Sequence, residues 1–267
     1  MPNEQRISSP QNAHVKELVA LRKNGEVRRE CGQFLLEGRR GVATALAAPH
    51  VEVCEVIYCP HILEDSVLVD AARECDLPLV KVTKDVFRKI ADVVSPQGVA
   101  AVIKIRQFTL AEMLESDEAP LIVVACGIQD PGNLGTIIRS CQAAGATGLV
   151  ALEGTADFYN AKVVRSTAAA LLMLPVVRTT AVDFISDAMA RNVRLVATAA
   201  REGVRYREFD WGRRPLAICI GGEGEGLPET MDVACQEHVT IPMRGQAESL
   251  NAAVAASILL FEAQAEG

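Results

Sequence analysis

Hydrophobic and polar residues follow one another in a pattern that predicts alternating helices and strands. Apolar residues at helical spacing predict helices over 14–23, 42–48, 66–75 and 84–90. Continuous apolar runs predict strands over 51–59, 79–82 and 99–105, with a further short apolar run at 34–37. The first part of the chain is therefore expected to be a small α/β domain that ends near residue 106.

The pattern becomes more regular after Pro120. Apolar runs predict strands over 121–126, 148–152, 194–200, 216–220 and 238–241. Helices are predicted over 135–144, 161–172, 180–191 and 251–265. Continuously apolar strands that alternate with helices are typical of a parallel sheet covered on both faces. The predicted fold class is α/β, with domains at 1–106 and 120–267 and an acidic linker at 107–119.

Composition narrows the class of protein. The chain has 267 residues, of which 49% are hydrophobic, yet no run approaches the ~18 apolar residues of a membrane span. The first ten residues lack the apolar segment of a secretory signal. The eight cysteines include no C-x-x-C pair, which favours reduced, mostly buried thiols in the cytoplasm. No metal is expected: Cys54, Cys59 and His61 are close in sequence, but a strand and turn explain them equally well.

Charge is divided unevenly along the chain. Residues 1–106 carry 15 basic and 14 acidic residues, whereas residues 107–267 carry 12 basic and 20 acidic. The N-terminal arginines and lysines occur in clusters: Arg22 and Lys23, Arg28 and Arg29, Arg39 and Arg40. These clusters are either a grip for a polyanion or ordinary solvated helix faces.

Three loops follow strands of the predicted parallel sheet, where ligands of such sheets bind. Loop one (127–136) contains Asn133 and leads into a helix that carries Arg139. A helix cap explains Asn133 or Thr136 but not Arg139, because the helix dipole opposes a cation near the helix start.

Loops two and three also carry candidate chemistry. Loop two (220–228) reads IGGEGEGLP and matches neither the dinucleotide nor the P-loop fingerprint. Its two glutamates would repel phosphates, so it suits a neutral or cationic small molecule such as a nucleoside or a sulfonium; the alternative is a flexible turn. In loop three (241–251), Ser249 is a natural N-cap for the last helix, whereas Asn251, just inside it, is a weak helix former.

Together the three loops resemble the signature motifs of one enzyme family. The stretches DPGNLGTIIR (130–139), ICIGGEGEGLPE (218–229) and IPMRGQAESLNAAVAASILLFE (241–262) are similar to those of SpoU/TrmH-type RNA ribose 2′-O-methyltransferases of the SPOUT superfamily. The stretch KVVRSTAAA (162–170) resembles the helix between the first two motifs. It departs from many members at Asn160-Ala161, where they have Ser-Pro, and at Ala169, where they have Gly.

The resemblance implies a fold and partners that no periodicity reveals. It implies a deep trefoil knot in the C-terminal domain, homodimers, S-adenosylmethionine as cofactor and no metal. Residues 8–48 are weakly similar to the substrate-binding domain of ribosomal-RNA members. The implied substrate is therefore ribosomal RNA; the alternatives are a tRNA 2′-O-methyltransferase and a non-catalytic RNA-binding protein of the same fold.

The resemblance also assigns roles to residues. The implied catalytic residues are Arg139, Asn133, Glu223, Ser249 and Asn251. The implied cofactor-binding residues are Gly221, Gly222, Glu223, Gly226, Leu227, Ile241, Met243, Ser249 and Leu250. The candidate RNA-binding residues are Arg22, Lys23, Arg28, Arg29, Arg39, Arg40 and Arg165. Because an arginine keeps its proton up to about pH 12, Arg139 is expected to stabilise a developing alkoxide and clamp a phosphate rather than to act as a base.

Overall fold

The structure is a computed structural model that describes residues 4–115, 120–199, 203–246 and 248–265. The chain divides into two compact units. The first comprises residues 1–106 and 159–172, and the second comprises residues 107–158 and 173–267. The α/β fold class predicted from the sequence is confirmed, with the parallel sheet in the second unit.

The first unit is built on a mixed sheet with the strand order β1-β4-β3-β5-β2 within the described residues. Its elements up to residue 106 are β1 (Glu4–Ile7), α1 (Ala13–Lys23), α2 (Gly25–Cys31), β2 (Gln33–Glu37), α3 (Arg39–Ala47), β3 (Val53–Tyr58), α4 (Val67–Glu74), β4 (Leu79–Val82), α5 (Lys84–Ile90) and β5 (Val99–Lys104). β1, β4 and β3 are parallel, and β5 runs antiparallel to β3 and β2. The apolar pattern predicted neither β1 nor α2, because both are short and largely polar.

The second unit contains a fully parallel sheet with the strand order β10-β12-β9-β11-β6-β7-β8 within the described ranges. The elements after residue 106, in chain order, are α6 (Leu110–Leu114), β6 (Leu121–Cys126), α7 (Pro131–Ala143), β7 (Gly148–Ala151), α8 (Ala161–Ser166), β8 (Val176–Arg178), α9 (Ala181–Ala190), β9 (Arg194–Ala199), β10 (Val204–Arg205), β11 (Leu216–Gly221), α10 (Glu229–Ala234), β12 (Glu237–Thr240) and α11 (Ala252–Ala265). All of these except α8 belong to the second unit. The central strands β6 and β11 are almost wholly buried, which explains their continuous apolar sequences.

The segment predicted as a linker contains a packed helix. Leu110, Met113 and Leu114 of α6 are buried in the core of the second unit. The helix is held at its start by a capping box between Thr109 and Glu112. A side chain at Gly148 would lie 2.5 Å from the sulfur of Met113, so the glycine allows α6 to approach β7. Five helical residues are too few to show a period, and the acidic sequence around them hides the packing.

A segment of the C-terminal half packs with the first unit. The helix predicted over 161–172 ends at Ser166 and is followed by a 3-10 turn at Ala170–Leu172. Ala168 and Ala169, with φ of 50° and 77°, have left-handed backbone conformations and interrupt the helix between Ser166 and Ala170. Within the first unit, the rings of Phe34 and Tyr159 lie 4.9 Å apart. This packing separates the segment from the rest of the 120–267 domain that the sequence predicts.

Candidate active site

Loop one leads directly into α7. The side chain of Asp130 accepts a hydrogen bond from the backbone N–H of Asn133 at 2.9 Å, and Pro131 occupies the first helical position. The helix therefore begins four residues before the predicted Gly135, because Asp130 caps it and proline fits its first turn. The cap holds Asn133 in the first turn, at the carboxyl end of β6.

Loop two is a hydrogen-bonded hairpin. The backbones of Gly222 and Gly226 exchange hydrogen bonds of 3.2 and 3.1 Å. A side chain at Gly222 would lie 2.6 Å from the carbonyl oxygen of Gly127, so loops one and two pack backbone against backbone. Gly226 has φ +71° and open space where a side chain would stand. The glycines of loop two thus allow the backbones of loops one and two to approach closely and allow the turn at Gly226. They also leave open space beside the loop.

Three predicted catalytic residues from the three loops form one hydrogen-bonded cluster. Glu223 Oε1 accepts a bond from Asn133 Nδ2 and another, of 3.0 Å, from Asn251 Nδ2. Asn251 Nδ2 also donates to Asn133 Oδ1 at 3.0 Å. Because a carboxylate only accepts, Glu223 turns the amide nitrogens of both asparagines towards itself. We call Asn133, Glu223 and Asn251 the amide–carboxylate cluster.

Asn251 has a second role, which the sequence had favoured for Ser249. Its Oδ1 accepts hydrogen bonds from the backbone N–H groups of Ala253 and Val254, at 3.0 and 3.2 Å. Asn251 therefore caps α11, and the prediction that Ser249 is the cap was wrong. The cap fixes the Asn251 side chain, so that its Nδ2 can reach the cluster.

A cavity of about 700 Å³ lies beside the cluster, at the carboxyl ends of β9, β11 and β12. Its lining contains every predicted cofactor-binding residue except Leu227, namely Gly221, Gly222, Glu223, Gly226, Ile241, Met243, Ser249 and Leu250. The volume is within the range of about 300–1,000 Å³ that is typical of small-molecule sites. We call it the cofactor cavity.

The residues around the cofactor cavity fit S-adenosylmethionine. Ile241, Met243 and Leu250 supply apolar surface for an adenosine, and the loop two backbone supplies polar groups without bulk. Glu223, Glu225 and Glu248 place carboxylates around a cavity that would hold a sulfonium cation. An anionic cofactor such as a dinucleotide would be repelled by the same three groups.

A second cavity, of about 530 Å³, lies on the other side of loop two. Leu227, predicted to bind the cofactor, lines this cavity and not the first. Gln129, Asp130 and Glu153 also line it, and none of them was predicted. Glu153 follows β7, so the rule that ligands bind at the carboxyl ends of parallel strands could have found it. Burial raises the pKa of Cys126, at the wall of this cavity, to about 12, so its thiol stays protonated and is a poor nucleophile.

Arg139 is not part of the amide–carboxylate cluster. It is exposed on α7, lines neither cavity, and forms no hydrogen bond or ion pair within the part of the chain that the structure describes. Glu223 bonds the two asparagines and not Arg139.

The predicted RNA-binding residues fall into three groups. Arg28 is buried, and its Nη1 donates to the carbonyls of Leu21 and Arg22, so it closes the end of α1 and is not presented to RNA. Several others are engaged within their own unit: Arg22 with the carbonyls of Ile90 and Ala91, Arg39 with Glu64 and Asp65, and Arg165 with Asp92.

The remaining three, Lys23, Arg29 and Arg40, are exposed and form no ion pair with any described residue. They are therefore the members of the set that are available to a polyanion. Sequence clustering did not distinguish them from Arg28, because adjacent helical residues point in different directions.

No three His, Cys, Asp or Glu side chains in the described ranges come together in a way that could hold a metal ion. Among the helices that the structure describes, none combines the length and apolar character needed to cross a bilayer.

A parallel α/β sheet with a polar cluster and a sulfonium-compatible cavity at its carboxyl edge is the site of a group-transfer enzyme, and comparison with known proteins identifies which kind. Residues 120–261 match the SpoU rRNA Methylase family, and residues 12–101 match the MRM3-like substrate binding domain. The chain belongs to the SpoU rRNA methylase family.

Relatives and solved structures match over nearly the whole chain. The 23S rRNA (guanosine(2553)-2'-O)-methyltransferase RlmP of Bacillus subtilis is 32% identical, over 96% of this chain and 97% of that protein. The 23S rRNA (uridine(2479)-2'-O)-methyltransferase of Streptomyces viridochromogenes is 32% identical, over 98% and 92%. The crystal structure of an AdoMet-bound rRNA methyltransferase from Sinorhizobium meliloti superposes with a TM-score of 0.87 at 30% identity, and the match covers 98% of each chain.

Proposed function

We propose that this protein transfers a methyl group from S-adenosylmethionine to a ribose 2′-hydroxyl of large-subunit ribosomal RNA. The observation that carries the proposal is the amide–carboxylate cluster, assembled from all three motif loops; Glu223 and Asn251 line the cofactor cavity, and Asn133 lines the second cavity. Ribosomal RNA is favoured over tRNA because residues 12–101 match a substrate-binding domain and because the relatives described above are named for 23S rRNA.

The cofactor would lie in the cofactor cavity, with Ile241, Met243 and Leu250 against its apolar parts. S-adenosylmethionine, when bound, supplies an activated methyl group on a sulfonium. Glu223, Glu225 and Glu248 would attract that positive charge and help to hold the cofactor in the cavity. Gly221, Gly222 and Gly226 let the loop two backbone reach the ligand without side chains in between.

The protein's part in the transfer is to position the ribose. Asn133 and Asn251 are fixed by Glu223, and we assign them to hold the ribose hydroxyls, with Ser249 as a further polar contact at the cavity wall. The 2′-oxygen would bond to the methyl carbon as the carbon–sulfur bond breaks, which would leave a neutral thioether, and the hydroxyl proton would pass to solvent. Holding that oxygen in line with the methyl group contributes several kcal/mol from orientation alone. Arg139 is assigned to stabilise the developing alkoxide and to clamp a neighbouring phosphate.

Because Arg139 lines neither cavity of its own chain, we propose that it acts across a homodimer interface. Val254 and Phe261 are exposed on α11, which packs beside α7 through a contact of 2.7 Å between Ser140 Oγ and Ser257 Oγ. A second copy that covers this apolar face would have Arg139 at the interface. Lys23, Arg29 and Arg40 would bind RNA from the first unit. The trefoil knot stays a prediction from the family resemblance.

The proposed function is tested by mapping 2′-O-methyl groups on ribosomal RNA from cells with and without the protein. The expected result is one 23S rRNA site that disappears with the protein and that purified protein restores on an unmodified transcript. Modification of tRNA instead, in a competition with labelled cofactor, would contradict the ribosomal assignment. No methyl transfer to any RNA would favour a non-catalytic RNA-binding protein.

The trans arrangement is tested by mixing two impaired homodimers, Arg139→Ala, expected to be inactive, and Glu223→Ala, expected to be about 30-fold slower than wild type. If Arg139 acts on the site of the other copy, exchange of subunits creates heterodimers with one intact site, and activity returns. If it acts within its own chain, every site in the mixture lacks one residue, and the activity of the mixture does not rise above that of the two separate homodimers. A Phe261→Glu variant that remains dimeric by light scattering would contradict the proposed interface.

A further inference from the structure

The second unit carries a groove of about 710 Å³ that is distinct from both cavities of the candidate site. It is lined by two segments, residues 205–208 and residues 242–244. Met243 also lines the cofactor cavity, so the groove and that cavity share a wall. None of the other lining residues was predicted from the sequence to bind anything.

The lining of the groove is positively charged. The lining contains three arginines, Arg205, Arg207 and Arg244, and one carboxylate, Glu208. Arg205 and Glu208 approach to 3.8 Å with 68% and 64% of their side chains exposed, so their ion pair is weak and a stronger anion can replace it. Arg207 and Arg244 are exposed and pair with no carboxylate among the described residues.

This charge departs from the balance of the surrounding chain. Residues 107–267 carry 12 basic and 20 acidic residues. A local excess of cations within an acidic domain directs an anionic ligand to one place, because the field elsewhere repels it.

Two of the three arginines, Arg205 and Arg207, lie on a well-anchored segment. The backbone N–H of Tyr206 donates to the carbonyl of Thr240 at 3.0 Å, and Trp211 Nε1 donates to the carbonyl of Tyr206 at 2.6 Å. Trp211 and Phe209 are buried, with their rings 4.7 Å apart. The segment is therefore anchored to the buried core, and its backbone loses little conformational entropy when a ligand binds.

Tyr206 also orients one of the cations. The guanidinium of Arg207 lies 5.4 Å from the centre of the Tyr206 ring. Such a contact holds the guanidinium in place without neutralising its charge. A fixed, planar, fully charged group matches the geometry of a phosphate.

We propose that this groove binds the phosphodiester backbone of the RNA next to the target nucleotide, through Arg205, Arg207 and Arg244. The proposal rests on the proposed function, since it takes the substrate to be RNA. The wall shared at Met243 puts flanking phosphates close enough to fix the register of the target ribose at the cofactor cavity. The groove would thus add a contact on the catalytic unit to those of Lys23, Arg29 and Arg40.

The test compares a double variant of the full chain, Arg207→Gln/Arg244→Gln, with the control Arg213→Gln. Arg213 is an exposed arginine of the same unit that does not line the groove. Binding to an unmodified transcript of 23S rRNA is measured by filter binding between about 50 and 300 mM salt. The affinity of the double variant should fall about tenfold, and the slope of log K against log salt should decrease by about one for each arginine.

Two further measurements separate the groove from other effects. Calorimetry with S-adenosylmethionine should give an unchanged affinity, which shows that the double variant is folded. The charge-preserving variant Arg207→Lys/Arg244→Lys should keep the wild-type salt slope. Arg213→Gln should change neither RNA affinity nor slope by the amount seen in the double variant.

The outcomes are distinguishable. Wild-type affinity and slope in the double variant would overturn the proposal, and so would an equal loss per charge in Arg213→Gln, which would indicate net charge alone. The binding assay does not require methyl transfer. A wild-type protein that binds the transcript through the groove but does not methylate it would therefore count against the proposed function only.

Discussion

Removal of the carboxylate of Glu223 should disorganise the site without unfolding it. Both bonds that reach Glu223 in the amide–carboxylate cluster end on the same atom, Oε1. Glu223→Ala removes this acceptor and leaves the Nδ2 groups of Asn133 and Asn251 without it. Glu223→Gln keeps an oxygen that can accept both bonds but removes the charge, and its own amide nitrogen can donate as well. The two variants therefore separate hydrogen bonding from charge.

The size of each effect follows from the contacts. Hydrogen bonds to a charged group contribute about 1.5–3 kcal/mol when they are well shielded, and exposure of Glu223 lowers this to about 1 kcal/mol for each of the two bonds. Loss of both costs about 2 kcal/mol of positioning free energy, or about a 30-fold decrease in kcat/KM. Glu223→Gln should lose about 1 kcal/mol of positioning free energy, or about a fivefold decrease in kcat/KM, because one of the amide groups in the cluster can now rotate by about 180° and lose its hydrogen bond.

The assay is incorporation of labelled methyl groups into a 23S rRNA transcript, with the affinity for S-adenosylmethionine measured separately by calorimetry. Glu229→Gln is the control, since Glu229 lies at the start of α10 and lines neither cavity. A Glu223→Ala enzyme within twofold of wild-type kcat/KM would refute the positioning role of the cluster. A Glu223→Gln enzyme as slow as Glu223→Ala would refute the argument that the remaining oxygen preserves part of the hydrogen bonding.

Three other changes test separate parts of the structure. Arg139→Ala should abolish methyl transfer and leave cofactor affinity nearly unchanged, because Arg139 does not line the cofactor cavity; near-normal turnover would remove Arg139 from the chemistry. Arg28→Ala should lower the free energy of unfolding by about 2 kcal/mol, because two carbonyl groups lose a buried charged donor. The control Arg29→Ala should change the free energy of unfolding by less than about 0.5 kcal/mol and should weaken RNA binding instead. The hydrogen bond from His14 to Glu55 raises the pKa of His14 to about 9. Since this is above its unfolded value of 6.5, the stabilisation is complete below about pH 6.5 and is lost as the pH rises through 9. Because His14 is partly exposed, this stabilisation amounts to about 1 kcal/mol. Chemical denaturation should therefore show that His14→Gln lowers the free energy of unfolding by about 1 kcal/mol at pH 6 and by almost nothing at pH 10. An equal decrease at both pH values would contradict the assignment.

Local sequence was sufficient where an element is long and continuously apolar. β6, β11 and β4 lie within one residue of their predicted bounds, because a strand buried on both faces is mostly or wholly apolar. The same pattern indicated that loops one, two and three meet at one edge of a sheet. The amide–carboxylate cluster lies at that edge, with one residue from each loop.

The roles of several other residues could be assigned only from the tertiary structure, because neighbouring residues of similar chemistry were equally good candidates in the sequence. Arg28 and Arg29 are neighbours with identical chemistry, and only the packing of α2 beside α1 decides which is buried. Ser249 and Asn251 are both good caps, and only the geometry at the start of α11 selects Asn251. The groove formed by residues 205–208 and 242–244 joins segments about 35 residues apart, which periodicity cannot connect.

The sequence by itself determined the class of fold, the three loops and the residue types of the site. These depend on local hydrophobicity and on motifs that each span between 10 and 22 consecutive residues. The tertiary structure alone decided which charges are free, which carboxylate orders which amides, and that residues 159–172 pack with the first unit. These depend on contacts between distant segments, whose free energies are set by burial and geometry and not by the order of residues along the chain.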